Sequence, residues 1–503
     1  MVSPRDYIWA RVTALIPFDF LAASAPAALL PSRIQMAFTL AYHIILVPLG
    51  VALPLLTVVM EGIGLRRNDP VALKLARRWS VVMAVQFAVG AVTGTILSFE
   101  FGILWPRMMG RFGDVFGIGF GIEGWAFFLE AIFIGIYLYG WKRLPPKVHY
   151  RLGWVLPPAG VLGAFGVIIA NSWMNTPAGF QLGPDGRPIN VDVLGAIFTP
   201  ALGYEFWHLI VALYMTASFM VASVYAVGWL RGRRDRYHRL GFTVPFTIGA
   251  ILAPVQWVIG DIATRAVFEG QPAKFAAMEL TWKTQGHNPE WVGGVMRSDG
   301  SVVIGLPIPS LDSLLAGFSP NTVVKGLTSF NPSDRPSVVD ANFVHLAFDV
   351  MVGLGSIAVL LTLWYAVAWI RYRDLPRSKW FFRGAALAGV GSYLAIEAGW
   401  ITTEVGRQPW IVYRVLLVSD AVTPASGVPV TLGVILALYA ILTVVSIGVP
   451  MIMSRRWRRG APAEEEAEQV PYGPAPAGTG ASPAGRLAPP AVPRASSGGA
   501  EAP

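Results

Sequence analysis

Residues 204–230, YEFWHLIVALYMTASFMVASVYAVGWL, carry Glu205 and His208 at their start and no charged group over the remaining 22 positions. A helix of about 20 residues, rising 1.5 Å per residue, crosses the roughly 30 Å hydrocarbon core of a bilayer. This stretch is therefore read as a membrane span. Comparable windows occur at 34–62, 79–103, 117–140, 152–174, 240–266, 343–372, 382–402 and 428–453, nine spans in all. The expected fold is an all-α polytopic membrane protein, a bundle of nine transmembrane helices.

Composition agrees with this reading. Apolar residues make up 54% of the 503 and charged residues only 14%, with 18 Trp, too oily for a soluble globule. There is no cysteine. Disulfides, thiolate haem ligation and cysteine-bound iron–sulfur clusters are thereby excluded, and any metal must be held by His, Met or carboxylate.

If odd-numbered helices run inward, the inner turns and the start of the tail collect the basic residues. These are Arg66, Arg67, Lys74, Arg77 and Arg78; Lys142, Arg143, Lys147 and Arg151; five arginines between 231 and 239; Arg371, Arg373, Arg377, Lys379 and Arg383; and Arg455, Arg456, Arg458 and Arg459. Positive charge in short loops marks the cytoplasmic side, so the N-terminus is expected outside and the C-terminus in the cytoplasm. The net charge of +9 reflects topology and suggests no nucleic-acid partner. The expected organisation is an outer segment at 1–32, helices one to six within 33–266, an outer loop at 267–341, helices seven to nine within 342–453, and a disordered cytoplasmic tail at 454–503. The loop is too long for a simple connection, and the Ala-, Pro-, Gly- and Ser-rich tail lacks the apolar content to order itself.

Ionisable groups inside lipid are costly and need a partner, a cofactor or a water path. His43, Glu61, Glu100, Glu123, Glu130, His208, Asp349, Glu397 and Glu404 all fall in spans or at their mouths. At 1.5 Å per residue, His43 lies roughly 14 Å inside the outer end of its helix, and His208 and Met351 roughly 6 and 12 Å inside theirs. A lone membrane histidine often bonds a neighbouring helix, and a lone methionine is usually core filler. Shared depth argues otherwise, and a neutral nitrogen plus a thioether is an electron-transfer ligand set for haem iron. Glu123 and Glu130, two turns apart, share one helix face at different depths, a layout suited to relaying protons.

The segments SRIQMAFTLAYHIILVPLG (32–50), IEGWAFFLEAIFIGIYLYGWKRL (122–144), NSWMNTP (171–177), KFAAMEL (274–280) and IEAGWITTEVGRQPW (396–410), with the helices around His208 and Met351, resemble subunit I of the cytochrome bd family of quinol oxidases. The resemblance covers roughly residues 32–453. It implies a quinol:oxygen oxidoreductase of the bacterial inner membrane that oxidises quinol at the outer face and reduces dioxygen to water with protons from the cytoplasm, without pumping. It also implies three haems: b558, b595 and d, or a b-type haem in place of d. His208 and Met351 match the axial ligands of haem b558, while His43 and Glu404 match ligands of the two high-spin haems, in an order left open. Trp400 matches a tryptophan near these haems, and Arg407 suits a propionate. Glu123 and Glu130 match acidic residues linked to proton delivery. Lys274 and Glu279 match the spacing of the lysine and glutamate used in quinol oxidation. Implied partners are membrane quinol, dioxygen, subunit II and, in some members, a small single-helix accessory subunit.

Two features depart from the best-known members. The outer loop is short, as in the short-loop branch that includes cyanide-insensitive types. Asp349 also replaces an arginine two residues before the axial methionine. Of other classes, a dihaem cytochrome b acting as a quinol dehydrogenase needs bis-histidine pairs, and only six His exist: His43, His149, His208, His238, His287 and His345. Three of these fall in loops. A secondary transporter predicts internal repeats, and none is visible. A redox titration should find the low-spin haem below the midpoint of arginine-bearing relatives, since a cationic neighbour is lost; a midpoint equal to theirs would remove the role given to Asp349.

Overall fold

The structure, a computed structural model, describes residues 26–459. Among them, nine helices are long and apolar enough to cross a membrane: α1 (Leu29–Arg67), α2 (Pro70–Leu104), α3 (Ile118–Gly140), α4 (Leu156–Asn175), α5 (Leu202–Leu230), α6 (Arg236–Gly270), α7 (Val338–Tyr372), α8 (Lys379–Gly406) and α9 (Val428–Arg459). Helices are the form an isolated chain can take in lipid, because each backbone donor and acceptor is satisfied within the segment. The expected nine-span all-α bundle is the architecture found.

Several helices outrun their apolar windows. α1 begins at Leu29 and α6 continues to Gly270, because outside the hydrocarbon layer a helix ends where its capping groups dictate. Asp69 caps α2, accepting from Val71 N at 3.0 Å and Ala72 N at 3.4 Å. Asp235 caps α6 through His238 N at 3.1 Å, and Ser337 with Asp340 forms a capping box on α7. The expected outer segment before residue 26 and the tail beyond 459 lie outside the described residues.

α5 sits at the centre, packed by α6, α8, α1 and α4. Its Phe219 and Ala222 meet Phe242 and Phe246 of α6 and Phe381 of α8 in the main apolar core. α9 is the opposite case: only 6% of its apolar window is buried, so most of its surface is left for lipid or another chain. α3 and α4 touch at glycines. A Cβ on Gly166 would lie 2.6 Å from Gly119 O and 2.7 Å from Glu123 N.

The two ends of the bundle differ in chemistry. At one end Arg236 meets Asp69 at 2.5 Å and Arg239 meets Asp374 at 2.6 Å, tying together the turns that carry the arginines. At the other end, the segment between α6 and α7 is structured. It contains a short helix (Pro272–Met278), two nested antiparallel pairs (Glu290–Val292 with Leu306–Ile308, and Val295–Met296 with Val302–Val303) and a second short helix (Leu311–Gly317). His149, placed in an inner loop by the sequence, lies in a short helix before α4 (Pro146–Gly153) and is fully buried.

Replacing Gly166 by Leu should force α3 from α4, because the intruding atoms meet backbone that cannot rotate away. Overpacking of this kind costs about 1–3 kcal/mol, and thermal denaturation in detergent should show a lowered Tm.

Candidate functional site

Three of the four residues expected to bind iron, His43, His208 and Met351, each face a glycine on a neighbouring helix. A Cβ on Gly94 of α2 would lie 3.0 Å from His43 Cε1, one on Gly260 of α6 would lie 3.5 Å from His208 Cε1, and one on Gly399 of α8 would lie 3.0 Å from Met351 Sδ. A side chain at Gly94 or Gly399 would press on the ligand-type residue, while a Cβ at Gly260 would reach ordinary contact with His208. Two imidazoles and a thioether, inside lipid and against glycine, fit the chemistry of haem.

Hydrogen bonding fixes the tautomer at His43. The Thr93 hydroxyl donates to Gly90 O at 3.0 Å, so its lone pair accepts from His43 Nδ1–H at 2.9 Å. Nε2 is left with its lone pair, the form iron requires. His208 has Gln256 Nε2 at 3.2 Å from each ring nitrogen.

Glu404 ends α8 within a polar network drawn from four segments. Its Oε1 accepts from Asn171 Nδ2 of α4 at 2.7 Å and its Oε2 from Arg407 at 2.5 Å. Asn175 joins the rest: its Oδ1 accepts from Lys274 Nζ at 3.1 Å and from Arg407 at 3.2 Å, and its Nδ2 donates to Glu205 at 2.8 Å and to Asn171 Oδ1 at 2.9 Å. Trp400, one turn earlier on α8, packs with Phe206, Leu209 and Leu202 of α5.

The structure therefore separates Lys274 from Glu279. Lys274 points into the bundle toward Arg407 and Glu404, and a Cβ on Gly406 would lie 2.7 Å from its Cγ. Burial, then the Arg407 charge, pushes its ammonium down to about 7 against the pull of Glu205 and Glu404. Glu279 lies instead with Glu290 and Asp312, with one carboxylate oxygen of each within 4.8 Å of the others. Burial, then the charges of Glu290 and Asp312, holds Glu279 well above the usual carboxylate range. Asp312 is raised to about 7 despite a hydrogen bond from Asn288.

Elsewhere, Glu123 and Glu130 lie on α3, and Glu130 Oε1 is buried without a hydrogen-bond partner among the described residues. Glu397 Oε1 is likewise unpartnered. Glu100 Oε1 accepts from Gln35 at 2.8 Å and Thr39 at 3.2 Å, while its Oε2 is buried without a hydrogen-bond partner among the described residues. Asp349 accepts from Gly293 N at 2.5 Å, with His345 Nε2 3.5 Å away, so it anchors the outer segment to α7.

Sequence reasoning missed Asn171, Asn175, Glu205, Glu290 and Asp312 as members of these groups. A signal existed for the asparagines: NSWMNTP places two amides four residues apart, on one helix face, at the end of an apolar span. Glu290 and Asp312 lie 22 residues apart in an irregular segment and carried no such signal.

A family model described as cytochrome bd terminal oxidase subunit I matches residues 31–460. The chain is 33% identical over 417 residues to the putative cytochrome bd menaquinol oxidase subunit I of Bacillus subtilis (strain 168), covering 82% of this chain and 93% of that one. It is 31% identical over 403 residues to the cytochrome bd ubiquinol oxidase subunit 1 of the same organism, covering 78% and 86%. The structure of bd oxidase from Geobacillus thermodenitrificans aligns with a TM-score of 0.79 at 35% identity, covering 86% of this chain and 100% of that chain.

Because the folded pKa of Lys274 lies below the ordinary lysine value of 10.5, the unfolded chain binds a proton that the folded chain lacks between about pH 7 and 10.5. Stability should therefore rise with pH across that window. Lys274→Met should flatten the rise between about pH 7 and pH 9 in thermal denaturation of the solubilised complex; an unchanged slope would mean that Lys274 remains charged.

Proposed function

This chain belongs to the cytochrome bd terminal oxidase subunit I family, and on that premise we propose how its residues divide the work of a quinol oxidase of the bacterial inner membrane. His208 and Met351 would hold the low-spin haem b558, while His43 and Glu404 would hold the two high-spin haems, b595 and d or a b-type haem in place of d. The haems supply electron transfer and the site of oxygen binding. The observation that carries the reading is the glycine facing each of His43, His208 and Met351.

Held by His208 and Met351 together, a haem would supply electron transfer, whereas one held by His43 or by Glu404 alone would supply oxygen binding. Glu404 is held by Asn171 and Arg407, and Lys274 adds a second cation through Asn175. This arrangement positions the carboxylate and offers Arg407 to a propionate.

Quinol oxidation is assigned to the structured segment between α6 and α7. Glu279, whose proton affinity burial and its acidic neighbours raise well above the usual carboxylate range, accepts the phenolic proton as a general base when it is in its ionised form. Half-buried Glu290 then passes it toward solvent. Lys274 lies one short helix away, on the side of the Glu404 network, so its charge bears on the path between quinol and haem rather than on Glu279 directly.

The arginine-rich end faces the cytoplasm by the positive-inside rule. With quinol oxidised outside and protons drawn from the cytoplasm through Glu130 and Glu123, each electron carries one net charge across the membrane, worth about 2.3 kcal/mol per 100 mV. No pump is needed. Subunit II, with a small accessory helix where present, would cover part of the exposed apolar surface.

His208→Ala should abolish the low-spin spectral signal and quinol oxidase activity. Gly399→Leu, which crowds Met351 without replacing any ligand, should disturb the same signal and spare the high-spin bands. Retention of the low-spin signal in His208→Ala would overturn the assignment.

A further inference from the structure

A fully buried cluster at the arginine-rich end is used by none of these steps. Tyr137 of α3 donates its hydroxyl to Glu61 Oε2 of α1 at 2.5 Å, and His149 places Nδ1 2.8 Å from Glu61 Oε1 and Nε2 2.8 Å from the backbone carbonyl of Tyr137. All three side chains are at most 1% exposed. Two glycines are shaped around them: a Cβ on Gly140 would lie 2.9 Å from His149 Cδ2, and one on Gly153 would lie 2.7 Å from Tyr137 Cε2.

The geometry fixes how many protons the cluster holds. A carbonyl oxygen only accepts, so Nε2 carries a proton toward Tyr137 O. Nδ1 and Glu61 Oε1 then face each other at 2.8 Å and need one further proton between them, since two lone pairs at that distance repel. Whether this proton rests on the ring or on the acid, the pair holds one exchangeable proton beyond the Nε2 proton. The Tyr137 hydroxyl satisfies Oε2 in either case.

The cluster is aligned with Glu130 and Glu123. Residues 123, 130 and 137 follow at two-turn intervals and share one face of α3. At the Glu130 level, Gly160 of α4 and Val51 of α1 close around the carboxyl; a Cβ on Gly160 would lie 3.5 Å from Glu130 Oε1 and 3.3 Å from Val51 Cα. At the Tyr137 level, Gly153 and Val58 do the same, with Val58 Cγ2 3.0 Å from a Cβ on Gly153. Seven residues separate the two levels in each of the three segments, about 10 Å of helix. Within that interval, the Thr57 hydroxyl is fully buried, one turn from Glu61 on the same face of α1, and has no hydrogen-bond partner among the described residues.

We propose that Glu61, Tyr137 and His149 form a proton-loading station, which takes a proton from the arginine-rich side and holds it before it passes along α3 to Glu130. As one proton leaves Glu61 toward Glu130, another arrives at His149 from that side; no electron moves and no heavy-atom bond breaks. The inference rests on the reading of Glu130 and Glu123 as the proton route.

The test uses the purified oxidase complex in liposomes. Glu61→Gln keeps the shape and the hydrogen bond from Tyr137 but removes the exchangeable acid. It should slow both turnover and the proton uptake that follows an oxygen pulse, read with a pH dye, by roughly tenfold. Haem content and anaerobic reduction of the haems by quinol should be unchanged. Tyr137→Phe, which leaves the carbonyl bonded to His149, should slow uptake by a smaller factor. Uptake within twofold of wild type in a fully haem-loaded Glu61→Gln complex would show a structural staple and overturn the proposal. If Glu61→Gln fails to assemble, Tyr137→Phe decides: slowed uptake supports the station and wild-type uptake overturns it. Glu130→Gln separates the two readings. Slow uptake there with normal uptake in Glu61→Gln removes the station alone, and normal uptake in both removes the proton route as well.

Discussion

In lipid a charge must be matched within the protein, and Asn175 is where this chain matches three of them. One amide accepts from Lys274 and Arg407 with its oxygen and donates to Glu205 with its nitrogen, while Asn171 beside it donates to Glu404. Without such a neutral hub, the Lys274 ammonium would face Arg407 with no acceptor between them and Glu205 would lose its Asn175 donor, each a costly arrangement. The hub also joins segments far apart in the chain: α4, the start of α5, the short helix after α6 and the end of α8. Glu404, near the C-terminal end of α8, is held by Asn171 and Arg407, both of which are bonded to Asn175.

A second constraint is room. A rigid prosthetic group needs a slot between helices that otherwise pack to van der Waals contact. Glycines of α2, α6 and α8 lie against His43, His208 and Met351, so no side chain of those helices fills the space beside the three residues. The same residue type does the reverse at Gly119 and Gly166, where it lets α3 and α4 approach until only backbone separates them. That close approach places the acidic face of α3 against α4 and α1, where the carboxyl of Glu130 and the Glu61, Tyr137 and His149 cluster are shielded from lipid.

Acidic residues in this protein follow two regimes. Glu404 and Asp349 receive strong donors, from Asn171 with Arg407 and from the backbone of Gly293 respectively, and are held in position. Glu279, Glu290 and Asp312 crowd one another outside the membrane, and burial with like charge raises their proton affinity. The first regime fixes geometry. The second prepares a group to take up and release a proton near neutral pH.

The sequence by itself determined the nine spans, because the absence of charge over a bilayer's thickness is a local property, and it determined the family, because the motifs around His43, Glu123, Glu404 and Arg407 are contiguous. His208 and Met351 were singled out as candidates by residue type and depth alone. The tertiary structure decided what depends on pairing between distant segments. It sent Lys274 to Asn175 and Glu279 to Glu290 and Asp312, although five residues separate them, because a short helix turns their side chains toward different neighbours. It also took His149 from an apparent loop into a sealed contact with Glu61 and Tyr137, 88 and 12 residues away. No window of sequence shows such contacts, since they arise only when helices pack.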